Sequence, residues 1–180
     1  MSTAFPIPRY TYSNYERWEG DWELIGGYPY AMSPSAVSKH QLVGAALQFE
    51  LTTALRANKS NCNCKVYYEI DWIISEETIV RPDICVVCAP VDPNGHIKVP
   101  PALIVEIFSS STRLKDRNIK FKLYEECGVK YYLMADPDLK KIETFELTDN
   151  VYKETPGKAD FMLTAGYVVS INIDDVFTDV

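Results

Sequence analysis

Two carboxylates and one lysine stand where their neighbours argue against charge. Glu106 lies in the middle of ALIVEIF, a run apolar enough to form a strand covered on both faces. Ionised and alone there, it would cost several kcal/mol, so it requires a cation, a partner or a raised pKa. Asp83, in VRPDICVV, follows Pro82 and opens a second apolar run. If the two carboxylates face each other from neighbouring strands, they repel unless a divalent ion sits between them. An oxygen-only pair of this kind suits Mg2+, with Mn2+ as an alternative. The third residue emerges from a helical wheel at about 100° per residue. Lys115, Asn118, Lys122, Glu125 and Glu126 gather on a solvent side, opposite Asp116, Ile119, Lys120, Leu123, Tyr124 and Cys127. Lys120 thus points at the sheet, where an apolar residue is expected. A lysine there serves one of two ends. It is a structural ion pair with Glu106 or Asp116, or it takes part in phosphodiester hydrolysis. In that reaction a metal polarises the phosphate and activates a water, while an ammonium orients the water and offsets charge growing on phosphorus.

The elements that must position these groups follow from periodicity and punctuation. Trp22 to Ala31 alternates around Gly26-Gly27, the pattern of a hairpin or bent strand. Ser33-Pro34-Ser35 offers caps for a helix over about Val37 to Ala57, with Val43, Leu47, Leu51, Ala54 and Leu55 as its apolar stripe. Strands are expected over Lys65 to Ile74 and Thr78 to Ala89, with Ser75-Glu76-Glu77 turning between them. After ALIVEIF comes the helix of the wheel, about Ser111 to Cys127, stopped by Gly128. VKYYLMA is a further buried strand, and more strands are expected over Lys141 to Leu147, Val151 to Glu154 and Phe161 to Thr164. The whole reads as one mixed α/β domain over residues 1–180.

Composition narrows the function. The chain has 180 residues, 47% of them hydrophobic, and a net charge of −7. It is too apolar for a disordered segment, and its apolar runs are too short for a membrane span. The acidic balance means that any nucleic-acid contact must be local. The patch that could provide it is Arg113, Lys115, Arg117, Lys120 and Lys122, with Arg113 and Arg117 one turn apart and able to grip a phosphate backbone. The alternative is an ordinary solvated helix face. Five cysteines without a secretion signal suggest reduced thiols and a cytoplasmic protein. Cys85 and Cys88 would point to opposite faces of one strand, which argues against a shared zinc ion. His96 reads as a solvated loop residue. Glu69 and Asp71 share one face of the YYEIDW strand, Glu69 being either an extra ligand or an edge charge. The aromatic wealth shows no base-stacking motif and is assigned to the core.

Taken in order, WELIGGYPYAMSPS, SKHQ, RPDICVV and VEIFSSSTRLKDRNIKFKLYEECGVKYYLMADP resemble the putative restriction endonuclease family of the PD-(D/E)XK nuclease superfamily. The resemblance runs from about Trp22 to Pro137. It implies a restriction-endonuclease-like fold, a central mixed β-sheet flanked by α-helices with extra N- and C-terminal strands. It also implies Mg2+-dependent hydrolysis of DNA. Carried over position by position, Asp83 and Glu106 would be the metal-binding acids, joined by the carbonyl of Ile107. Phe108 stands where a lysine is usual, and its role falls to Lys120 on the following helix. Glu23 would be an outlying acid at the same site. His40 would also serve the substrate. Beside the resemblance, Arg113 and Arg117 of the basic patch are expected to bind it, and Tyr124 to support the site and bind substrate. Ser110 and Tyr132 depart from the usual Pro and Trp. Cutting both strands needs two active sites, so a symmetric homodimer is expected. The competing expectation is a non-catalytic binding or assembly module that keeps the fold.

Overall fold

The computed structural model describes residues 7–32, 37–57, 63–109 and 113–180. The capping residues Ser33, Pro34 and Ser35, together with Cys62 and the expected helix start at Ser111, lie outside the described residues. A short helix α1 (Tyr12–Tyr15) leads into the hairpin β1 (Trp22–Ile25) and β2 (Tyr28–Ala31), which turns through Gly26 and Gly27, both at positive φ. Helix α2 (Ser38–Ala57) follows and buries Val43, Leu47 and Leu51.

The next two expected strands are each broken in two. The first becomes β3 (Lys65–Tyr68) and β4 (Trp72–Ser75), the second β5 (Thr78–Val80) and β6 (Ile84–Val87). The pieces belong to different sheets. β4 and β5 join the hairpin in a four-stranded sheet, ordered β2-β1-β5-β4, while β3 and β6 enter the central sheet. The two chains cross from sheet to sheet at Glu69 and Asp83, where the Glu69 N–H donates to the Asp83 carbonyl at 3.0 Å. Glu69 makes its bend at φ 47°, outside the strand region, so Glu69 and Asp71 do not share a strand face as expected.

The central sheet is completed by β7 (Leu103–Ile107), β8 (Tyr131–Asp136), β9 (Lys141–Thr148) and β10 (Val151–Glu154), in the order β10-β9-β8-β7-β6-β3. β7 pairs antiparallel with β6 and parallel with β8, so the sheet is mixed. A parallel pair needs a crossover, and the segment from Lys115 to Glu126 provides it. Every residue of β7 is buried, as its unbroken apolar run requires. Leu103, Val105 and Ile107 face the core under α2, while Ile104 and Phe108 face a second core with Tyr124 and Tyr132. Glu106 therefore points to the crossover side. A hairpin of β11 (Asp160–Thr164) and β12 (Tyr167–Ser170) packs on α2, with the Tyr167 hydroxyl donating to the Leu55 carbonyl at 2.9 Å. β12 was not anticipated from sequence, although three of its four residues, Tyr167, Val168 and Val169, are apolar.

The reading of the cysteines is corrected in one respect. Cys64 and Cys88 form a disulfide rather than remaining as reduced thiols. The strand register explains the pairing: Lys65 lies opposite Val87, so the next residues outward meet. Cys85 faces the other core, as its spacing from Cys88 demanded, and is free and buried. Among the described residues, no helix is long and apolar enough to cross a membrane.

Candidate active site

The crossover is where the wheel fails and the chemistry gathers. Lys115–Lys120 is a π-helix, and only Phe121–Glu126 is α-helical (α3). A π-helix brings residues i and i+5 to one side, where an α-helix would separate them by about 140°. Lys115 and Lys120 thus share a face, and Lys115 leaves the solvent side assigned to it. Its Nζ lies 2.5 Å from Glu23 Oε2, and that of Lys120 lies 2.8 Å from Glu23 Oε1. Ile119, expected to face the core, is exposed instead. Glu125 also departs from its assigned face, accepting the Tyr152 N–H at 2.9 Å.

Lys120 is 2% exposed and is the hub of the site. Its Nζ donates to Glu106 Oε1 at 2.8 Å and lies 3.8 Å from Asp116 Oδ1. Burial alone would push the ammonium down, but Glu106, Glu23 and Asp116 outweigh it and hold the lysine well above its usual range. The opposite holds for Glu106. Burial drives its carboxyl well up despite Lys120, and the nearby Asp116, Asp83 and Glu23 add to the rise. The Tyr124 hydroxyl donates to the same Oε1 at 2.7 Å. Burial also raises Glu23, yet Lys120 and Lys115 bring it below its usual value, and the Arg81 N–H donates to it at 2.9 Å.

Asp83 stands at the sheet crossing, opposite the end of β7. Its Oδ2 accepts the Ile107 N–H at 2.6 Å and lies 3.3 Å from His40 Nε2 on the first turn of α2. Burial pushes the His40 imidazole down, but the hydrogen bond to Asp83 prevails and the net shift is upward. His40 Nδ1 is buried without a hydrogen-bond partner among the described residues.

These groups line a cavity of about 90 Å3 that includes His40, Glu69, Asp83, Glu106, Asp116 and Lys120, with Ile107 and Lys115. Four carboxylates face it. Its third cation, Arg81, is committed elsewhere, to Asp71 at 2.7 Å and Asp21 at 2.6 Å. The cavity is therefore short of positive charge, and its donors are oxygens, the environment a hard divalent cation fits. Among the described residues, no three His, Cys, Asp or Glu side chains form a complete metal cage. A two-carboxylate site completed by a carbonyl and water remains within the habits of Mg2+.

The residues anticipated from sequence divide cleanly. Asp83, Glu106, Ile107, Lys120 and His40 converge on the cavity. Glu23 and Tyr124 are fully buried and do not line it; Glu23 holds Lys120, and the Tyr124 hydroxyl holds Glu106. Arg113 and Arg117 are not among the residues lining it. Both lie over the Phe108 ring, at 4.9 and 5.3 Å, and they pair with Asp136 and Glu143. Lys115 and Asp116 were not singled out as site residues. The i, i+4 spacing of Asp116 to Lys120 already marks it as a possible ion-pair partner, whereas the spacing of Lys115 to Lys120 carries no signal until the π-helix is known.

The family model described as "Uma2: Putative restriction endonuclease" matches residues 12–166. The chain is 25% identical over 158 residues to the uncharacterized protein slr1290 of Synechocystis sp. (strain ATCC 27184 / PCC 6803 / Kazusa), covering 83% of this chain and 80% of that one. It is also similar to a crystal structure titled as a putative nuclease belonging to DUF820 from Anabaena variabilis ATCC 29413. That match has a TM-score of 0.67 and 17% identity, covering 96% of this chain and 98% of that one.

Proposed function

The chain belongs to the Uma2 family, and from that premise we propose that it is a metal-dependent nuclease hydrolysing DNA phosphodiester bonds. The observation that carries the reading is Lys120, a buried ammonium held between Glu106 and Glu23 at the wall of an oxygen-lined cavity with Asp83. Asp83, Glu106 and the Ile107 carbonyl would hold Mg2+, or Mn2+ in its place. The ion would polarise the phosphate and lower the pKa of an attacking water. The protein's own contribution is positional. The Ile107 N–H fixes one Asp83 oxygen, leaving the other for a ligand. Glu23, behind Lys120, keeps the lysine protonated and aimed, so that its N–H groups can orient the water and offset charge on the phosphate. Lys115 fixes Glu23 in turn.

Nicking of supercoiled plasmid across a Mg2+ and Mn2+ titration tests this, with an Asp83→Ala protein prepared in parallel. Metal-dependent nicking absent from the variant is the expected result. Equal nicking by both proteins would trace it to a contaminant. No nicking with any metal, together with no metal binding by calorimetry, would favour a non-catalytic module in which Lys120 is a structural ion pair. Cutting both strands calls for two such sites, as a symmetric homodimer would supply. Sedimentation showing only monomer at micromolar concentration would argue against that arrangement.

A further inference from the structure

Arg81 also walls a second cavity, of about 320 Å3, together with Tyr12, Tyr15, Trp18, Trp22, Asp71 and His96. The catalytic cavity, at about 90 Å3, has room for ions, waters and phosphate oxygens but not for a nucleotide base. The second is in the size range of small-ligand pockets. Its aromatic walls are built by packing between α1, the turn after it and β1: Trp18 meets both Tyr15 and Trp22 edge-to-face, each at 5.7 Å. All four rings are only half-buried.

The polar groups decide what kind of ligand fits. Asp71 is 6% exposed, with Oδ1 held by Arg81 Nε at 2.7 Å and Oδ2 by the Tyr15 hydroxyl at 2.9 Å. Arg81 is thus neutralised by Asp71 and Asp21, and Glu16 also faces the pocket. An anion would meet Asp71 and Glu16 with the one guanidinium already committed to Asp71 and Asp21, so the pocket calls for a ligand that donates hydrogen bonds. A planar ring carrying N–H donors satisfies the aromatic walls together with the Glu16 carboxylate and the remaining lone pairs of Asp71. That is the chemistry of a nucleobase.

We propose that this cavity binds the base of an unpaired nucleotide adjacent to the phosphate in the catalytic cleft. The shared Arg81 makes the two sites neighbours. The placement beside a phosphate rests on the nuclease reading, whereas base binding itself does not. A base inside a duplex is stacked and cannot enter such a pocket, so the preferred ligand is single-stranded or locally unpaired.

The test measures binding alone. Asp83→Ala protein in EDTA is titrated into a fluorescein-labelled single-stranded oligonucleotide, and anisotropy is read. Unlabelled oligonucleotide, an abasic oligonucleotide of equal length, matched duplex and free deoxynucleosides serve as competitors. The expected result is competition by the unlabelled single strand, with the abasic strand and the duplex weaker by roughly tenfold. Trp18→Ala should weaken binding by a similar factor, and Trp18→Phe should restore it. His96→Ala, at an exposed wall, gives an independent loss should Trp18→Ala fail to fold. Competition by free deoxynucleosides would assign recognition to the base alone. Its absence, with the single strand still competing, would assign it to a base carried on a strand. Equal competition by the abasic strand, or unchanged binding in folded Trp18→Ala and His96→Ala proteins, would overturn the proposal. Failure of plasmid nicking would leave this binding result intact, so the two readings fall separately.

Discussion

Arg81 stands between two buried polar clusters whose charge balance differs. On one side, Asp71 is satisfied by Arg81 and Tyr15, and each charge has its opposite within hydrogen-bond distance. On the other, Glu23, Asp83, Glu106 and Asp116 crowd around Lys120 and Lys115, and the Glu106 carboxyl is driven well above its usual pKa. Balanced pairs of the first kind hold a fold together. The second arrangement is unfavourable for the protein alone, and under the proposed function an external cation would complete the balance. The difference separates a pocket proposed for a nucleobase from a cleft proposed for a metal and a phosphate.

The largest effect that would break this contrast is at Lys120. Lys120→Met leaves Glu23 and Glu106 buried without their common cation, so a loss of about 3–5 kcal/mol is expected in denaturant unfolding. Plasmid nicking should fall roughly 10²–10³-fold in whatever protein stays folded. Stability unchanged in this variant would show that the cluster is wetter than its burial implies. Glu106→Gln sharpens the comparison from the other direction. Burial raises the Glu106 carboxyl, so its charge is held there at a cost that the isosteric amide lifts, and stability should hold or rise by about 1 kcal/mol. Nicking should nevertheless disappear. A variant both less stable and inactive would place Glu106 among ordinary structural carboxylates.

Mg2+ itself supplies the next test. At about a hundredfold excess over its Kd it should stabilise the wild-type protein by about 2.7 kcal/mol, a rise in Tm of roughly 5–10 °C. Asp83→Ala should show no such rise. Asp71→Asn, in the balanced cluster, should cost about 1–2 kcal/mol and yet keep the Mg2+ response, since its charge is matched locally. Loss of the response there would merge the two clusters into one. The smallest effects belong to Arg113→Ala and Arg117→Ala, whose half-exposed ion pairs with Asp136 and Glu143 contribute under about 1 kcal/mol each. If either touches a DNA phosphate, the salt dependence of binding should drop by about one charge per variant.

Much of the site was legible because each key residue breaks a local rule. Glu106 interrupts a buried strand, Lys120 interrupts an apolar helix face, and Asp83 follows a proline at the head of an apolar run. Such conflicts require a partner whatever the fold. The elements themselves were readable where apolar runs were long, as in β7 and β8, and one was overlooked where the run was only the three residues Tyr167, Val168 and Val169 of β12. The wheel succeeded for Lys120 and failed for Lys115, because one π-turn changes the angle between residues and nothing in KDRNIK announces it.

What the sequence determined by itself was the kind of chemistry: two acids and a lysine that cannot be left alone in an apolar setting. Tertiary structure decided the company they keep. It broke two expected strands at Glu69 and Asp83 and sent their halves into different sheets. That placed Glu23 behind Lys120, joined Cys64 to Cys88, and gathered scattered tyrosines and tryptophans around Asp71. Burial conflicts are written locally, residue by residue. Contacts between distant segments depend on how the chain turns, and a positive φ at a non-glycine residue or a single π-turn is fixed only by packing around it.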